Sequence, residues 1–181
     1  RIRALYIGGG TPTVLTADEL DSLICHALEA YSGFSGEFTV EAGRPDTITK
    51  AKLEVLKRRG VNRLSVNPQT MNMATLELIG RSHTPQDIIA AFGMARDMGF
   101  DRINMDVIAG LPGEHAADME HTLNEIVKLS PENLTVHTLA LKRSSRLVTE
   151  GERYPMTTAE EVERMVAMGA EAAKAMNMRP Y

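Results

Sequence analysis

Glu41 and Asp106 are carboxylates set at or inside apolar runs, Phe38–Glu41 and Ile103–Ile108, where an unpaired charge is expensive. The two oxygens of Glu41 could accept both hydroxyls of a ribose. An ion pair with Arg44 or Arg63 is the alternative, and taken alone the ion pair is the simpler reading. Asp106 needs a partner still more, because it lies inside its apolar run and not at the end of it. Arg81, ahead of Ser82-His83, could clamp a carboxylate through two parallel N–H bonds, although taken alone a solvated surface arginine is the simpler reading. Gly8-Gly9-Gly10-Thr11-Pro12-Thr13 strips the Cβ atoms from one strand exit, so that backbone N–H and C=O groups can touch a ligand. A tight turn with Thr11 capping something local is the competing explanation, and Thr-Pro-Thr weights the choice toward a ligand.

Other reactive residue types carry less. Cys25 has no second ligand near it in the sequence. The five histidines, His26, His83, His115, His121 and His137, lack metal-ligand spacing. His137, which falls in a strand, reads as a hydrogen-bonded core residue. Met165, Met168 and Met176 recur at helical spacing and read as core filling. Lys50 to Arg59 reads as the solvated face of a helix. No residue of this chain is assigned a catalytic or metal-ligating role.

The elements that must position these groups alternate. Ala4–Ile7, Phe38–Glu41, Arg63–Val66, Ile103–Ile108 and Leu134–Leu141 are short, nearly continuous apolar runs, the pattern of strands buried on both faces. Between them lie amphipathic segments. Leu20, Leu23, Ile24, Ala27, Leu28 and Tyr31 recur every three or four residues behind a Thr16/Glu19 capping box with a Leu15/Leu20 staple. Thr84-Pro85 starts another helix, with Ile88, Ile89, Phe92 and Ala95 inward, after a first segment at Asn72–Ile79. Ala116 to Leu129 is a further helix, ended by Ser130-Pro131. The last opens at Thr158 with Glu161 three residues on and buries Val162, Met165, Val166 and Met176. Strand–helix alternation without hairpin signals predicts parallel βαβ units, and right-handed crossovers curl such a sheet one way, into a barrel or an open doubly wound sheet. The expected fold class is α/β, with part of a parallel (β/α) barrel the preferred reading. Ligands in such folds gather at the carboxyl ends of the strands. There the sequence delivers the glycine loop, Glu41, Asn67-Pro68-Gln69, Asn104 and Asp106 with Gly110-Leu111-Pro112-Gly113, and His137 to Ala140.

A chain of 181 residues suits one domain with a sizeable core. Its formal net charge of -4, without a basic stripe, argues against nucleic acid. No apolar run approaches the roughly 20 residues of a membrane span. One cysteine excludes an internal disulfide and suits a reducing compartment, so cytoplasm is the expected location. The chain opens on a strand without a secretory leader and closes as a new segment begins, so it is expected to be an excerpt, incomplete at both ends, from the centre of a longer domain.

Three stretches together resemble the radical S-adenosylmethionine (SAM) superfamily around oxygen-independent coproporphyrinogen III oxidase. They are Tyr6–Thr13, Arg63–Asn72 and Asn104–Gly113, in the family's order and at its spacing. Asn67-Pro68 in place of Gly-Val, and Thr135 to Arg143, are more similar to the HemZ branch, a coproporphyrinogen dehydrogenase-like group. The resemblance implies a partial barrel of the radical SAM type. It implies that Gly9, Gly10 and Thr11 hold the methionine end of SAM, Arg81 its carboxylate, and Glu41 and Gln69 the ribose. Asp106 would be a further polar contact and Ala140 would pack near the adenine. The family's [4Fe–4S] cluster sits on a CxxxCxxC loop that has no counterpart here. The fragment itself is thus expected to be inactive, while the whole protein would take electrons from a donor and abstract hydrogen from a porphyrinogen propionate. That propionate would then lose CO2 to leave a vinyl group.

The competing readings are a related haem carrier, a barrel enzyme whose Gly8–Gly10 turn cradles phosphate, and a remnant without ligand. The expected partners are a porphyrinogen or another small molecule and an electron donor, with neither nucleic acid nor membrane. The first strand, lacking its family neighbour, is expected to leave an open edge for self-association.

Overall fold

The computed structural model describes residues 2–140 and 154–180. Its strands are β1 (Ala4–Ile7), β2 (Glu37–Gly43), β3 (Arg63–Gln69), β4 (Ile103–Ala109) and β5 (Asn133–Thr138). The helices are α1 (Ala17–Ala30), α2 (Lys50–Arg58), α3 (Met73–Leu78), α4 (Pro85–Asp97), α5 (Ala116–Leu129) and α6 (Ala159–Ala175). The strands form one sheet in the order β1-β2-β3-β4-β5, so sequence neighbours are sheet neighbours and helices make the crossovers. This is the strand–helix alternation of a partial parallel (β/α) barrel.

Local signals set most boundaries. The Thr16 hydroxyl accepts the Glu19 N–H, and the Glu19 carboxylate accepts the Thr16 N–H, closing the capping box of α1. Thr158 caps α6 by accepting from the Glu161 N–H. Helix α5 stops where Ser130 turns left-handed (φ 54) ahead of Pro131, a residue that disfavours helix in its predecessor. Strands β2 and β3 run further than the apolar runs predict, since β3 continues through Asn67-Pro68 to Gln69. Leu141, the expected last residue of the fifth strand, lies outside the described residues, as do Lys142 and Arg143.

The chain divides into two compact units, Arg1–Pro68 with Gln86–Met105, and Gln69–Pro85 with Asp106–Tyr181. In the first, β1 pairs with β2 in parallel from Ala4↔Glu37 to Ile7↔Val40, and β2 pairs with β3 from Thr39↔Arg63. Leu20, Ile24, Phe38, Val40, Leu53, Leu56, Leu64, Val66, Ile88, Phe92 and Ile103 make its core. In the second, Met71, Leu76, Leu111, Met119, Leu123, Ile126 and Met165 are buried.

Several expectations about burial are corrected. Strands β1 and β5 contain no buried residue, because each is an end strand of the described sheet with one pairing neighbour. Leu23, Tyr31 and Ile89 are exposed at 43%, 45% and 40%, so the apolar stripes of α1 and α4 are wider than the faces that are covered. Val162, Val166 and Met176 are half-buried, whereas Met165 is fully buried. Helix α2 is not simply a solvated face. The Lys52 ammonium donates to the Thr13 and Thr47 carbonyls at 2.6 and 3.0 Å, and Arg58 and Arg59 both bind Asp21. His137 is exposed on β5, not a core histidine.

Candidate functional site

The glycine loop leaves β1 beside the exit of β2. Gly9 has φ 83 and Gly10 φ 46, left-handed values that an L-residue adopts only under strain, and a Cβ on either would meet nothing within 4 Å. Open space therefore lies over these backbone groups. At Gly8 the case is steric, because a Cβ would collide with the Tyr6 ring and crowd a Glu41 oxygen. Beyond the glycines, Thr11 packs its methyl against Gly43, and Thr13 is wholly buried. The Thr13 hydroxyl donates to the Ala42 carbonyl at 2.5 Å and lies 2.6 Å from the Thr47 hydroxyl. The loop is thus fastened to the residue following Glu41.

The β2–β3 register slips at this point. Glu41 pairs with Ser65 and Gly43 with Val66, which leaves Ala42 as an extra residue. Such a bulge re-aims neighbouring side chains. The half-buried Glu41 carboxylate collects three donors. The Gly9 N–H (3.2 Å) and the Tyr6 hydroxyl (3.3 Å) donate to Oε2, and the Asn67 amide (3.2 Å) donates to Oε1. Both arginines of the ion-pair reading are engaged elsewhere. Arg44 binds Asp46 through Nε and Nη2, and Arg63 Nη1 donates to Glu37 at 3.1 Å. The ion-pair reading of Glu41 is therefore corrected: neutral donors hold the carboxylate in place.

The structure brings Glu41 together with Gly9, and places Gly10 and Thr11 next along the same loop. Gln69, Arg81, Asp106 and Ala140 belong to the second unit. Gln69 ends β3 with φ 67, one of three non-glycine residues with positive φ among those described. Strained backbone of this kind costs about 1–3 kcal/mol and concentrates at functional positions. Arg81 is half-buried just after α3, with its N–H on the Leu76 carbonyl at 2.8 Å. Asp106 is half-buried on β4. Ala140 is exposed, one residue beyond Leu139, whose N–H reaches the Ala109 carbonyl at 3.0 Å.

The structure gives three groups contacts that residue type alone did not point to. Asn67 touches Glu41 directly, and behind it stand Ser65 and Asn104, all three buried. Their signal was a polar residue inside an apolar strand, with Ser65 and Asn67 two residues apart and hence on one face. Glu114 is 1% exposed and accepts the Thr70 hydroxyl at 2.5 Å. Burial raises its pKa, opposed by hydrogen bonds from Thr70 and Thr75. Placed in a loop, it gave no periodic signal. Glu161 shows the opposite shift. The Ala116 N–H at the start of α5, and then the His115 ring, hold its carboxyl below the ordinary range.

The residues present do not fit an iron–sulfur cluster. Such clusters are held by several thiolates, and Cys25 is the only cysteine. Its Sγ sits on α1, 3.4 Å from Glu29 Oε1. Among the described residues no three His, Cys, Asp or Glu side chains could share a metal ion. They do fit an uncharged, hydroxyl-bearing ligand portion at Glu41, beside a side-chain-free glycine loop.

A parallel βα fold with a glycine loop and an acceptor carboxylate at neighbouring strand exits defines the chain as part of a parallel (β/α) barrel with a candidate ligand site at that rim. The chain belongs to the radical SAM superfamily, whose pattern matches residues 1–126. It is 42% identical over 183 residues to the oxygen-independent coproporphyrinogen-III oxidase-like protein HemZ of Bacillus subtilis, covering 100% of this chain and 36% of that protein. It is 40% identical over 144 residues to the heme chaperone HemW of the same organism, covering 78% of this chain and 38% of that one. The fold matches that of Escherichia coli coproporphyrinogen III oxidase, HemN, a radical SAM enzyme, with a TM-score of 0.82 and 25% identity. That match covers 97% of this chain and 41% of HemN. The chain thus spans well under half the length of these relatives. Among the described residues no helix is long and apolar enough to cross a membrane.

Proposed function

We propose that this chain is the SAM-holding part of an oxygen-independent coproporphyrinogen III oxidase-like enzyme of the cytoplasm. The supporting observation is Glu41. Its carboxylate is carried to a strand exit and steadied by Gly9, Tyr6 and Asn67, while the arginines that could neutralise it bind other acids. Glu41 and Gln69 would accept the ribose hydroxyls. Gly9, Gly10 and Thr11 would receive the methionine end, and Arg81 its carboxylate. Asp106 would add a polar contact, and Ala140 would leave room for the adenine. SAM supplies the hydrogen-abstracting equivalent, and the protein orients it and excludes water. The reading extends to a porphyrinogen propionate as substrate and to an outside electron donor. The chain by itself, with one cysteine, is expected to turn nothing over. The similarity to HemW supports a second reading, a haem carrier, which would bind haem stably without porphyrinogen turnover.

The test uses the full-length protein under anaerobic titration with SAM. Glu41→Ala removes hydrogen bonds to a charged acceptor, worth roughly 1.5–3 kcal/mol, and should weaken SAM about tenfold to a hundredfold. Arg81→Ala should weaken it similarly, and Arg44→Ala should leave it unchanged. If Glu41→Ala binds SAM as tightly as the parent while melting lower, the ribose assignment fails.

A further inference from the structure

The three buried polar side chains behind Glu41 form a single file. Asn104 Nδ2 donates to Ser65 Oγ at 3.0 Å, Ser65 Oγ donates to Asn67 Oδ1 at 2.8 Å, and Asn67 Nδ2 donates to Glu41 Oε1 at 3.2 Å. The file crosses β4, β3 and β2, and the Glu41↔Ser65 register pair sets its reach. Its polarity is determined from one end. An ionised carboxylate only accepts, so Asn67 must turn its NH2 toward Glu41 and its carbonyl toward Ser65. The one hydroxyl proton of Ser65 then belongs to Asn67, and Ser65 can only accept from Asn104. Residual exposures of 7%, 4% and 8% for Asn104, Ser65 and Asn67 keep water from substituting for any link. Apolar residues would fill the strands more cheaply, because a buried polar file is tolerable only when every member is satisfied.

We infer that Asn67, Ser65 and Asn104 are positioning residues that fix the rotation of the Glu41 carboxylate and thereby set its selectivity for a ligand bearing a vicinal diol. Oε2 is occupied by Gly9 and Tyr6. Oε1 accepts from Asn67 among the described residues, which leaves it acceptor capacity directed by the file. Without the file, the carboxylate could rotate about its last bond and lose alignment with two hydroxyls at once. The inference rests on the reading of Glu41 as a ribose acceptor.

Two probes separate the possibilities in the full-length protein: 5′-methylthioadenosine and its 2′,3′-dideoxy counterpart, which keeps the adenine and thioether but lacks the diol. The parent should prefer the diol. Ser65→Ala, which breaks the file without touching Glu41, should shrink that preference about five- to tenfold. Affinity for the dideoxy probe should meanwhile stay within about twofold. Asn67→Gly, which removes the final link, should act in the same way and serves if Ser65→Ala does not fold. An unchanged preference in a folded variant overturns the inference while leaving the ribose reading intact. Equal losses for both probes also overturn it, showing that the trio only supports the sheet. A parent with no preference for the diol removes the ribose reading, and the inference with it.

Discussion

Replacing Thr13 by valine should loosen the glycine loop from the sheet, and the cost can be worked from the contacts. The side chain is 0% exposed. Its hydroxyl donates to the Ala42 carbonyl and touches the Thr47 hydroxyl, which itself donates to the Arg44 carbonyl at 2.7 Å. Two hydroxyl protons thus serve three oxygen–oxygen contacts, so one contact always lacks a proton. Valine removes one proton and two contacts, and Thr47 keeps its bond to Arg44. The Lys52 bonds to the Thr13 and Thr47 carbonyls survive, because they fall on the backbone. The loss is one buried hydrogen bond whose acceptor stays behind: Ala42 is the bulge residue with no register partner in β3, and its carbonyl loses the Thr13 donor, at about 1–3 kcal/mol. At a urea dependence of about 2 kcal/mol per molar, that lowers the unfolding midpoint by about 0.5–1.5 M. Urea unfolding followed by far-ultraviolet circular dichroism reads this directly. Thr13→Ser keeps the hydroxyl and should lose about 1 kcal/mol, for its methyl alone. A Thr13→Val midpoint equal to the parent's, or above that of Thr13→Ser, would refute the reasoning.

Two further outcomes are expected. Glu114 binds its proton more tightly when folded, because burial raises its pKa, so stability should fall as pH rises from the unfolded value of about 4.5 through the folded one. Glu114→Gln keeps the acceptor for Thr70; it should melt with the parent in acid and above it at neutral pH, and coincident melting curves at every pH would contradict this. Among the described residues β1 has one strand neighbour, β2, and Tyr6 on it is 60% exposed, so the 181-residue chain by itself should pair through this edge with a second copy at high concentration. Ala4→Lys should weaken that association in sedimentation velocity, and a parent that stays monomeric throughout would count against the edge.

Much of this protein is decided by the sequence acting locally. The Thr16/Glu19 box, Thr158 with Glu161, the ends of α5 and the start of α4 at Pro85 depend on residues within four positions of each other, so their signals can be read along the chain. The order of strands and helices, and the three motifs that carry the family resemblance, are legible for the same reason. The partners of Glu41 are not. Asn67 lies 26 residues from it, Asn104 lies 39 from Ser65, and Thr70 lies 44 from Glu114. The Glu41 and Ser65 contacts depend on strand register and on one bulge at Ala42, and a period-2 pattern is indifferent to both. By charge alone, Arg44 and Arg63 were the natural partners for Glu41; the tertiary structure gives them Asp46 and Glu37 and leaves the carboxylate to neutral donors. Burial is decided at the same level. His137 stands on a strand of the expected kind, yet it is exposed because β5 ends the described sheet, and a strand's own residues do not encode how many neighbours it will have.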